Sequence, residues 1–246
     1  MIIGNTTEEF TLLAACDSVY LKNFAKGFVT SCALAGNNSH IHVTNPTEED
    51  KEYVNYLNEG YKRLNIINKM TFSYDYLDIS NYTSKEKITF YACNRFIVAP
   101  EVVKGDILIL DIDSVIMKYV PNFQYDVMLY FSNNPKHKMY HDKVWGNYAK
   151  RVMAGAVYCS YQHINYLVKV KDFILNNRMA WYLDQVALVK TYKTYKDKNI
   201  GRFADEFLDM KFREDSYIWS SKGKSKYFKV YQNKLKDLDL KFSMVN

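Results

Sequence analysis

Apolar and polar residues change from one spacing to another along the first third of the chain. The run FTLLAAC (10–16) predicts a buried strand, which ends in a loop at Asp17. The segment LKNFAKGFVTSCALAG (21–36) has apolar residues at helical spacing and ends in a glycine, the residue that most readily caps a helix. The segment SHIHVTNP (39–46) alternates as a second strand and stops at a proline. This order predicts a strand–helix–strand unit.

The same order continues to residue 116. The segment 47–64 predicts an amphipathic helix with a threonine cap and acidic residues in its first turn. Residues 70–78 predict a third strand. The segment FYACNRFIVAPEVV (90–103) predicts a third helix, which is expected to end at Ala99 because Pro100 disfavours helical backbone at the residue before it. The run GDILILDIDSVI (105–116) then predicts a further buried strand.

Later segments extend this pattern with two strand candidates, one helix and one segment with a helical second half. In order they are YDVMLYFS (125–132), VMAGAVYCS (152–160), INYLVKVKDFILNN (164–177) and MAWYLDQVALVKTY (179–192). Alternating strands and helices predict an α/β fold, a sheet with helices on both faces. In such sheets ligands bind beyond the carboxyl ends of the strands, where this interpretation places Asp17, Asp111 and Asp113.

Composition allows one globular domain. The 246 residues are 48% hydrophobic, and the N-terminus does not have the pattern of a signal peptide. No window approaches the 18 or so apolar residues that a membrane span needs. The four cysteines are widely spaced among apolar or small neighbours, which favours reduced, buried thiols in a cytoplasmic protein.

The formal net charge of +6 is concentrated late in the chain. The basic stretches are KTYKTYKDK (190–198) and SSKGKSKYFKVYQNKLK (220–236). Such stretches usually form a solvated face. The alternative is an anionic ligand or partner such as a phosphate, a nucleic acid or a membrane surface.

Asp111 and Asp113 follow the apolar run ILIL. Alternate residues on a strand face the same way, so the two carboxylates converge if the strand runs through them. Close carboxylates repel unless a cation lies between them, and Mn²⁺ or Mg²⁺ prefers such oxygen ligands while leaving positions for phosphate oxygens. The pair therefore predicts a metal site for a phosphate-bearing substrate. The alternative is two exposed loop acids, one of which caps the next element.

One chemistry that uses an Asp-x-Asp pair after an apolar strand is that of haloacid-dehalogenase-like phosphatases. Their motif usually lies on the first strand, whereas roughly a hundred residues and three strand candidates precede it here. The later acidic pair that such enzymes need is not obvious either.

The chain also resembles the nucleotide-sugar glycosyltransferases with the GT-A fold, and among them family 8. The resemblance covers about residues 10 to 226 and depends on the order of its segments, not on any single motif. Those segments are LLAACDSVYLKNFAKGFVTS (12–31), HIHVTNP (40–46), FYACNRFIVAPEVVKGDILILDIDSVI (90–116), VMAGAVYCS (152–160), WYLDQVALVKTY (181–192) and DSYIWSSKGKSKYF (215–228).

The resemblance implies a GT-A-like (Rossmann-like) fold with a mixed, mostly parallel sheet flanked by helices. It implies one domain over 1–246, with a nucleotide-binding half at about 8–118 and an acceptor half at about 119–246. It also implies transfer of a sugar from a nucleotide donor, with UDP as the expected nucleotide and Mn²⁺ or Mg²⁺ as cofactor. The expected acceptor is a glycan or, as for a phage-encoded modifying enzyme, a modified DNA base. A phosphatase and a non-catalytic nucleotide-binding protein remain alternatives.

The resemblance assigns residues to four roles. The nucleoside would be held by Ala14, Asp17 and Tyr20, and the metal by Asp111, Asp113 and Ser220. The rest of the donor would contact Arg95, Ile112, Ala154, Gly155, Lys222, Gly223 and Lys226, besides Asp111 and Asp113. The catalytic or acceptor-binding pair would be Asp184 and Gln185.

Some of these roles have alternatives. Tyr20 could belong to the core, and Asp184 could act as a general base, position a sugar or cap the helix that follows it. Arg95 lies in an apolar helix and needs an anion, which is either Asp111 or Asp113, or the donor itself.

The third metal ligand is the point where the chain departs from family 8. Those enzymes carry a histidine near the C-terminal segment, where this chain has IWSSKGK (218–224). Its five histidines, at 40, 42, 137, 141 and 163, lie far upstream. The third ligand is therefore Ser220 or water, or no metal is tightly bound. His40 and His42 alternate on a strand and are expected to be structural.

Overall fold

The computed structural model describes residues 2–5, 7–132, 136, 141–195, 199–221 and 223–245. Its α-helices are α1 (Ser18–Ala35), α2 (Glu48–Leu64), α3 (Ser84–Val102), α4 (Asn165–Leu175), α5 (Leu183–Thr194) and α6 (Lys229–Ser243). Its strands are β1 (Ile3–Gly4), β2 (Thr11–Cys16), β3 (Asn38–Thr44), β4 (Met70–Asp75), β5 (Ile107–Leu110), β6 (Ser114–Ile116), β7 (Val127–Phe131), β8 (Val152–Cys159), β9 (Ile200–Arg202), β10 (Leu208–Asp209) and β11 (Ile218–Ser220). Short 3₁₀ turns occupy Tyr161–His163 and Gly223–Tyr227.

The main sheet, as far as the chain is described, has the strand order β1-β4-β3-β2-β5-β8-β7-β9. The central strands β4, β3, β2 and β5 are parallel, β8 is antiparallel to β5 and β7, and β9 is parallel to β7. This confirms the predicted mixed α/β sheet. The β5–β8 pairing also joins the two halves that the sequence suggested into one sheet.

The sheet separates two layers of apolar side chains. On β2, Leu12 and Ala14 belong to the cluster that includes residues of α1 and α2, whereas Leu13 and Ala15 belong to the cluster with α3, α4 and α5. Every residue of β2 is buried, as is typical of a strand covered by helices on both faces. The four cysteines are free thiols in these interiors, which confirms their predicted burial. None of the described helices has the length and hydropathy to cross a membrane.

Helix ends follow the local sequence closely, with one exception. Asp17 caps α1, Gly36 ends it in the left-handed region at φ 78°, and Thr47 forms a capping box at α2. The predicted end of the next helix at Ala99 is wrong, because α3 continues through Pro100 for two more residues. A proline this close to a helix end removes a single backbone hydrogen bond, and Val98, Ala99 and Val102 remain buried against the sheet.

The chain leaves the main sheet at Asp111. Strand β5 ends at Leu110, and a turn closed by the Ser114 N–H on the Asp111 carbonyl (3.0 Å) leads into β6. Strand β6 pairs antiparallel with β11 in a second sheet of order β10-β11-β6. Strand alternation had suggested that β5 runs through the two aspartates, and this is wrong because the strand ends before them. The turn instead brings the C-terminal segment beside them.

Helix α6 is a feature that the sequence analysis did not predict. It packs on α1, and its Phe242 lies against Gly60 of α2, where an added Cβ would come within 2.0 Å of the ring. Phe242 is fully buried. Gly60 is thus required for close packing between these two helices.

Two buried histidines on β3 form a polar network with β4. His40 lies 2.8 Å from both Thr71 Oγ1 and Ser73 Oγ, and His42 lies 2.9 Å from Ser73 Oγ and 3.3 Å from Asp75 Oδ1. Because side chains of β4 lie within hydrogen-bond distance of both rings, this network agrees with the expected structural role. No described group of three or more His, Cys, Asp or Glu side chains could hold a metal. Burial, and in addition the neighbouring His42, lower the pKa of His40 to about 3.

We expect His40 to make the fold sensitive to mild acid. Unfolding restores its ordinary pKa of 6.5, so between pH 6.5 and 3 the unfolded state binds the extra proton and stability falls as the pH falls. From pH 7 to 5.5 this residue alone should lower the free energy of unfolding by about 1 kcal/mol. Urea unfolding at the two pH values measures the loss, and the neutral His40→Gln should show a smaller pH difference. Equal differences in both proteins would contradict this origin.

Candidate functional site

A cavity of about 820 Å³ opens at the carboxyl ends of β2 and β5, within the size range of ligand pockets. Most of the residues predicted for the site line it. They are Asp17, Tyr20, Arg95, Asp111, Ile112, Asp113, Ala154, Gly155, Asp184, Gln185, Ser220, Gly223 and Lys226. Segments as far apart in sequence as β2 and the 223–227 turn therefore meet in one space.

Two of the predicted residues are not placed at the cavity. Ala14 is fully buried between Ile41 of β3 and Leu110 of β5, and its neighbours Ala15 and Cys16 line the cavity instead. The assignment of Ala14 to the nucleoside is corrected accordingly. Lys222 lies outside the described residues.

The first wall of the cavity is the N-terminus of α1. Asp17 accepts a hydrogen bond from the Tyr20 N–H (2.8 Å), and so acts as the helix cap. Tyr20 is 42% exposed, which rules out the core position considered for it. Its ring contacts Phe24, and Lys226 Nζ lies 4.4 Å from its centroid. A charged side chain therefore already covers part of this aromatic surface.

Arg95 lies at the centre of the second wall. Its guanidinium donates to Asp111 Oδ1 and to the Ala154 carbonyl (3.1 Å), and lies 3.5 Å from Asp184 Oδ2. Only 7% of the side chain is exposed. A buried guanidinium requires such partners. Of the two alternatives for Arg95, the structure shows the pairing with protein carboxylates.

Asp113 has a separate partner. Lys226 Nζ lies 2.5 Å from Asp113 Oδ2 and 3.1 Å from the Tyr20 hydroxyl, to which it donates. The Asp113 side chain is 6% exposed and that of Lys226 is 16% exposed, so the pair is largely removed from water. The alternative of two exposed loop acids therefore does not hold for Asp113.

Burial and the nearby charges act in opposite directions on this pair. Burial and repulsion from Asp111 raise the pKa of Asp113 to about 6, and Lys226 and Arg95 limit the rise. Burial alone would lower the pKa of Lys226, but Asp113 and Tyr20 raise it above its ordinary value. Lys226 therefore remains an ammonium group at neutral pH.

The N-terminus of α5 supplies the third wall. The helix begins at Leu183, after Tyr182 in the left-handed region at φ 71°, and Asp184 Oδ1 accepts from the Gln185 N–H (2.8 Å). Asp184 thus binds a backbone N–H of the first helical turn, while its other oxygen faces Arg95. Gln185 is 7% exposed, and its Oε1 has no hydrogen-bond partner among the residues that the structure describes. A buried amide oxygen of this kind beside a cavity is available to a ligand.

Strand β8 lines the cavity with two small residues, Ala154 and Gly155, so that its backbone is close to the cavity surface. A Cβ added to Gly155 would lie 3.2 Å from Asp111 Oδ2 and 3.2 Å from a methyl of Leu208. Ala154 is also small, and its carbonyl binds Arg95. Small residues at these positions leave room for a ligand to approach the backbone next to Asp111. Ile112 also lines the cavity, although it belongs to the core cluster.

The side chains do not fit a tightly bound Mn²⁺ or Mg²⁺. One oxygen of Asp111 is used by Arg95 and one oxygen of Asp113 by Lys226, so both carboxylates are already paired with a cation. The oxygens that remain are Asp111 Oδ2 and the buried Asp113 Oδ1, which has no hydrogen-bond partner among the described residues. Ser220, suggested as the third ligand, offers a hydroxyl and not a charged or imidazole group. As noted above, no described cluster of at least three acidic, histidine or cysteine side chains could hold a metal. We therefore assign no step of the chemistry to a metal.

Several cavity residues were missed by the sequence analysis. Ile88, Tyr91 and Ala92 line the cavity together with Arg95. They precede Arg95 by seven, four and three residues and so share one face of α3, a spacing that could have identified them. Trp181 and Tyr227 also line the cavity and are 56% and 82% exposed. They flank the Asp184 segment and Lys226, respectively, and adjacency to those predicted residues was the available signal.

No protein-family model and no curated protein matches this chain. Many solved structures resemble it, among them three glycosyltransferases at 10% identity. The bifunctional glycosyltransferase WbbM has a TM-score of 0.60 over 97% of this chain and 52% of its own. The galactosyltransferase LgtC, solved with donor and acceptor sugar analogs, has a TM-score of 0.60 over 92% and 95%. The glycosyltransferase GlyE of Streptococcus pneumoniae TIGR4 has a TM-score of 0.58 over 97% and 63%.

The fold is that of the GT-A glycosyltransferases. The chain spans about half the length of WbbM and just under two thirds of GlyE, but nearly all of LgtC. This confirms the predicted fold class and does not favour the phosphatase alternative. Membership of family 8 stays a prediction.

We expect Arg95→Met to destabilise the fold. The substitution keeps most of the side-chain volume but leaves Asp184 and Asp111 without their shared cation, and breaking a buried ion pair costs about 3 kcal/mol or more. Because the Asp111 side chain is 34% accessible to solvent, we expect the loss of stability to be close to about 3 kcal/mol. Urea unfolding measures the loss. Arg95→Lys keeps the positive charge and should recover part of the lost stability. The recovery should be incomplete, because one ammonium cannot reach all three acceptors. Wild-type stability of Arg95→Met would contradict the importance of the pairs.

Proposed function

We propose that this protein transfers a sugar from a nucleotide-linked donor to a hydroxyl group of an acceptor. One observation carries the proposal. In a GT-A fold, a single cavity combines a cation held on Asp113 with the Asp184–Gln185 pair. The cation suits a diphosphate, and the Asp184–Gln185 pair suits the hydroxyl groups of a sugar.

The nucleotide end of the donor is assigned to α1 and the 223–227 turn. The N-terminus of α1 presents backbone N–H groups and the positive end of the helix dipole beside Asp17 and Tyr20. Lys224 and Lys226 line the same cavity and add positive charge for a diphosphate. The Asp17 carboxylate can accept a hydrogen bond from base or ribose, and Tyr20 offers an exposed ring. We infer a UDP-linked sugar as the donor.

The sugar end is assigned to the walls formed by α5 and β8. Asp184 is an acceptor whose negative charge is compensated by Arg95, and Gln185 Oε1 is an acceptor without a partner in the described part of the chain. Both accept hydrogen bonds from sugar hydroxyls. Gly155 lets the sugar approach the backbone next to Asp111. The side chains at this end therefore recognise hydroxyl donors.

In the transfer, an acceptor hydroxyl bonds to the anomeric carbon of the donor as the bond from that carbon to the phosphate oxygen breaks. The electron pair of the broken bond leaves with the nucleoside diphosphate, and the hydroxyl proton passes to that departing diphosphate and from there to water. Lys226 stabilises the charge that develops on the leaving phosphate, the usual means by which fixed charges accelerate such steps. Asp184 positions the sugar through its hydroxyls. A glycan is the acceptor we propose.

We expect nucleotide sugars to bind and to be consumed. A UDP-sugar at 100 times its dissociation constant stabilises the folded state by about 2.7 kcal/mol, which appears as a rise in melting temperature. Calorimetric melting with UDP-, GDP-, CDP- and dTDP-sugars should single out one nucleotide. Each is measured with Mn²⁺ and with a chelator. Labelled donor is then offered to glycans, proteins and DNA to identify the acceptor. Failure of every nucleotide sugar to bind or react under either condition would overturn the proposed function.

We expect Asp184→Asn to separate catalysis from folding. The substitution keeps the shape but weakens an acceptor for a sugar hydroxyl, so kcat/KM should fall about 100-fold, a loss of about 2.7 kcal/mol in transition-state binding. Asp172→Asn makes the same chemical change on the exposed face of α4, outside the cavity, and is the matched control. Activity at wild-type level in folded Asp184→Asn would remove Asp184 from the site.

A further inference from the structure

We propose that the Lys226 ammonium supplies the positive charge for which a divalent cation was predicted, so that the donor is bound and used without metal. The inference rests on the proposed function and deepens it. It starts from the position of Lys226, whose Nζ lies 2.5 Å from an oxygen of the second aspartate of the Asp-x-Asp pair. A protein cation therefore lies where the sequence predicted Mn²⁺ or Mg²⁺.

The ammonium is held by several groups. It binds Asp113 Oδ2, donates to the Tyr20 hydroxyl at 3.1 Å and lies 4.4 Å and 4.9 Å from the ring centroids of Tyr20 and Phe24. Aromatic faces attract cations, and the attraction is stronger where water is excluded. The side chain is 16% exposed, so the group is largely desolvated but still borders the cavity.

The local fold fixes this position. The 3₁₀ turn Gly223–Tyr227 begins three residues after the last residue of β11, with Gly223 in the left-handed region at φ 54°. The Lys226 carbonyl accepts from Gln232 Nε2 of α6 at 2.5 Å. Pairing of β11 with β6 holds the turn beside Asp113, because β6 begins at the next residue. Lys226 is therefore positioned by two elements and is not a loosely placed surface lysine.

The charge balance also suits an ammonium better than a metal. Arg95, which is shared with Asp184, binds Asp111, and Lys226 binds Asp113, so each of the two aspartates already has a positive charge beside it. A metal bound to the two remaining oxygens, Asp111 Oδ2 and Asp113 Oδ1, would lie close to the ammonium on the Asp113 carboxylate and would be repelled by it. The site therefore disfavours a second cation.

Lysine retains a donor for the substrate. An ammonium has three N–H groups, and among the described residues Asp113 and Tyr20 use two of them. The third can donate to a phosphate oxygen of the donor. During transfer that oxygen gains the electron pair of the broken bond, and Lys226 stabilises the charge without giving up its proton. No metal and no other co-reactant is needed for this step.

The test measures binding of UDP by isothermal titration calorimetry, once with a metal chelator at about 1 mM and once with Mn²⁺. Binding of Mn²⁺ alone is measured by electron paramagnetic resonance. We expect wild-type affinity for UDP to change less than about threefold between the two conditions, with no stoichiometric Mn²⁺ bound. Lys226→Met should weaken UDP in chelator about 50-fold, within the range for hydrogen bonds to charged groups. Mn²⁺ should restore part of this affinity, because Asp113 Oδ2 is then free.

Two further variants keep the result interpretable. Lys229→Met removes an exposed lysine outside the cavity and should bind UDP like the wild type. If Lys226→Met does not fold because Asp113 is left unpaired, the double variant Lys226→Met with Asp113→Asn removes the ion pair as a whole. It should fold, bind UDP weakly and gain nothing from Mn²⁺.

The outcomes separate the inference from the proposed function. UDP binding or sugar transfer that requires Mn²⁺ in the wild type, or unchanged affinity in folded Lys226→Met, would overturn the role of Lys226 and leave the transferase intact. Absence of nucleotide binding in both conditions would overturn the proposed function and this inference with it. Metal-independent binding that is lost in Lys226→Met supports both.

Discussion

The buried guanidinium of Arg95 is the constraint on which the rest of the cavity depends. It joins the end of β5 through Asp111, the backbone of β8 through the Ala154 carbonyl and the start of α5 through Asp184. A charge this far from water is tolerated only when its partners are in place, because an unpaired one costs several kcal/mol. These three segments are therefore held at fixed separations before any ligand enters. The planar fork of arginine suits this task better than a single ammonium.

The second pair, Asp113 with Lys226, follows from the turn after Asp111. Because β5 ends there, the chain turns into β6, which takes β11 as its partner and so brings the C-terminal segment to the cavity. If β5 had continued straight, both aspartates would have stayed at the edge of the main sheet. Each instead acquires its own cation from a different part of the chain. One change of direction in the backbone thus separates the two halves of the Asp-x-Asp motif chemically.

Features of the fold that depend on residues close together in sequence could be predicted from sequence patterns. Hydrophobic spacing located β2, β3, α1 and α2 and the starts of β4 and β5. The cap residues Gly36 and Thr47 located the end of α1 and the start of α2, because neighbouring residues determine these features. Ala14 was assigned wrongly, since all six residues of β2 are buried and no alternation shows which of them reaches the cavity end. The contact between Asp113 and Lys226 spans 113 residues. It depends on the pairing of β6 with β11, which no spacing within either strand reveals.

The distribution of charge explains why one cavity suits a sugar diphosphate. The cluster around Arg95 contains one positive and two negative groups, Asp111 and Asp184, and is net negative by one. The cluster around Lys226 pairs one positive with one negative group, and Lys224 at the same turn makes it net positive. A nucleotide sugar has the complementary arrangement, with hydroxyl donors on the sugar and acceptor oxygens on the phosphates. For the proposed donor, charge favours one orientation, since the reversed molecule would place phosphates against Asp184.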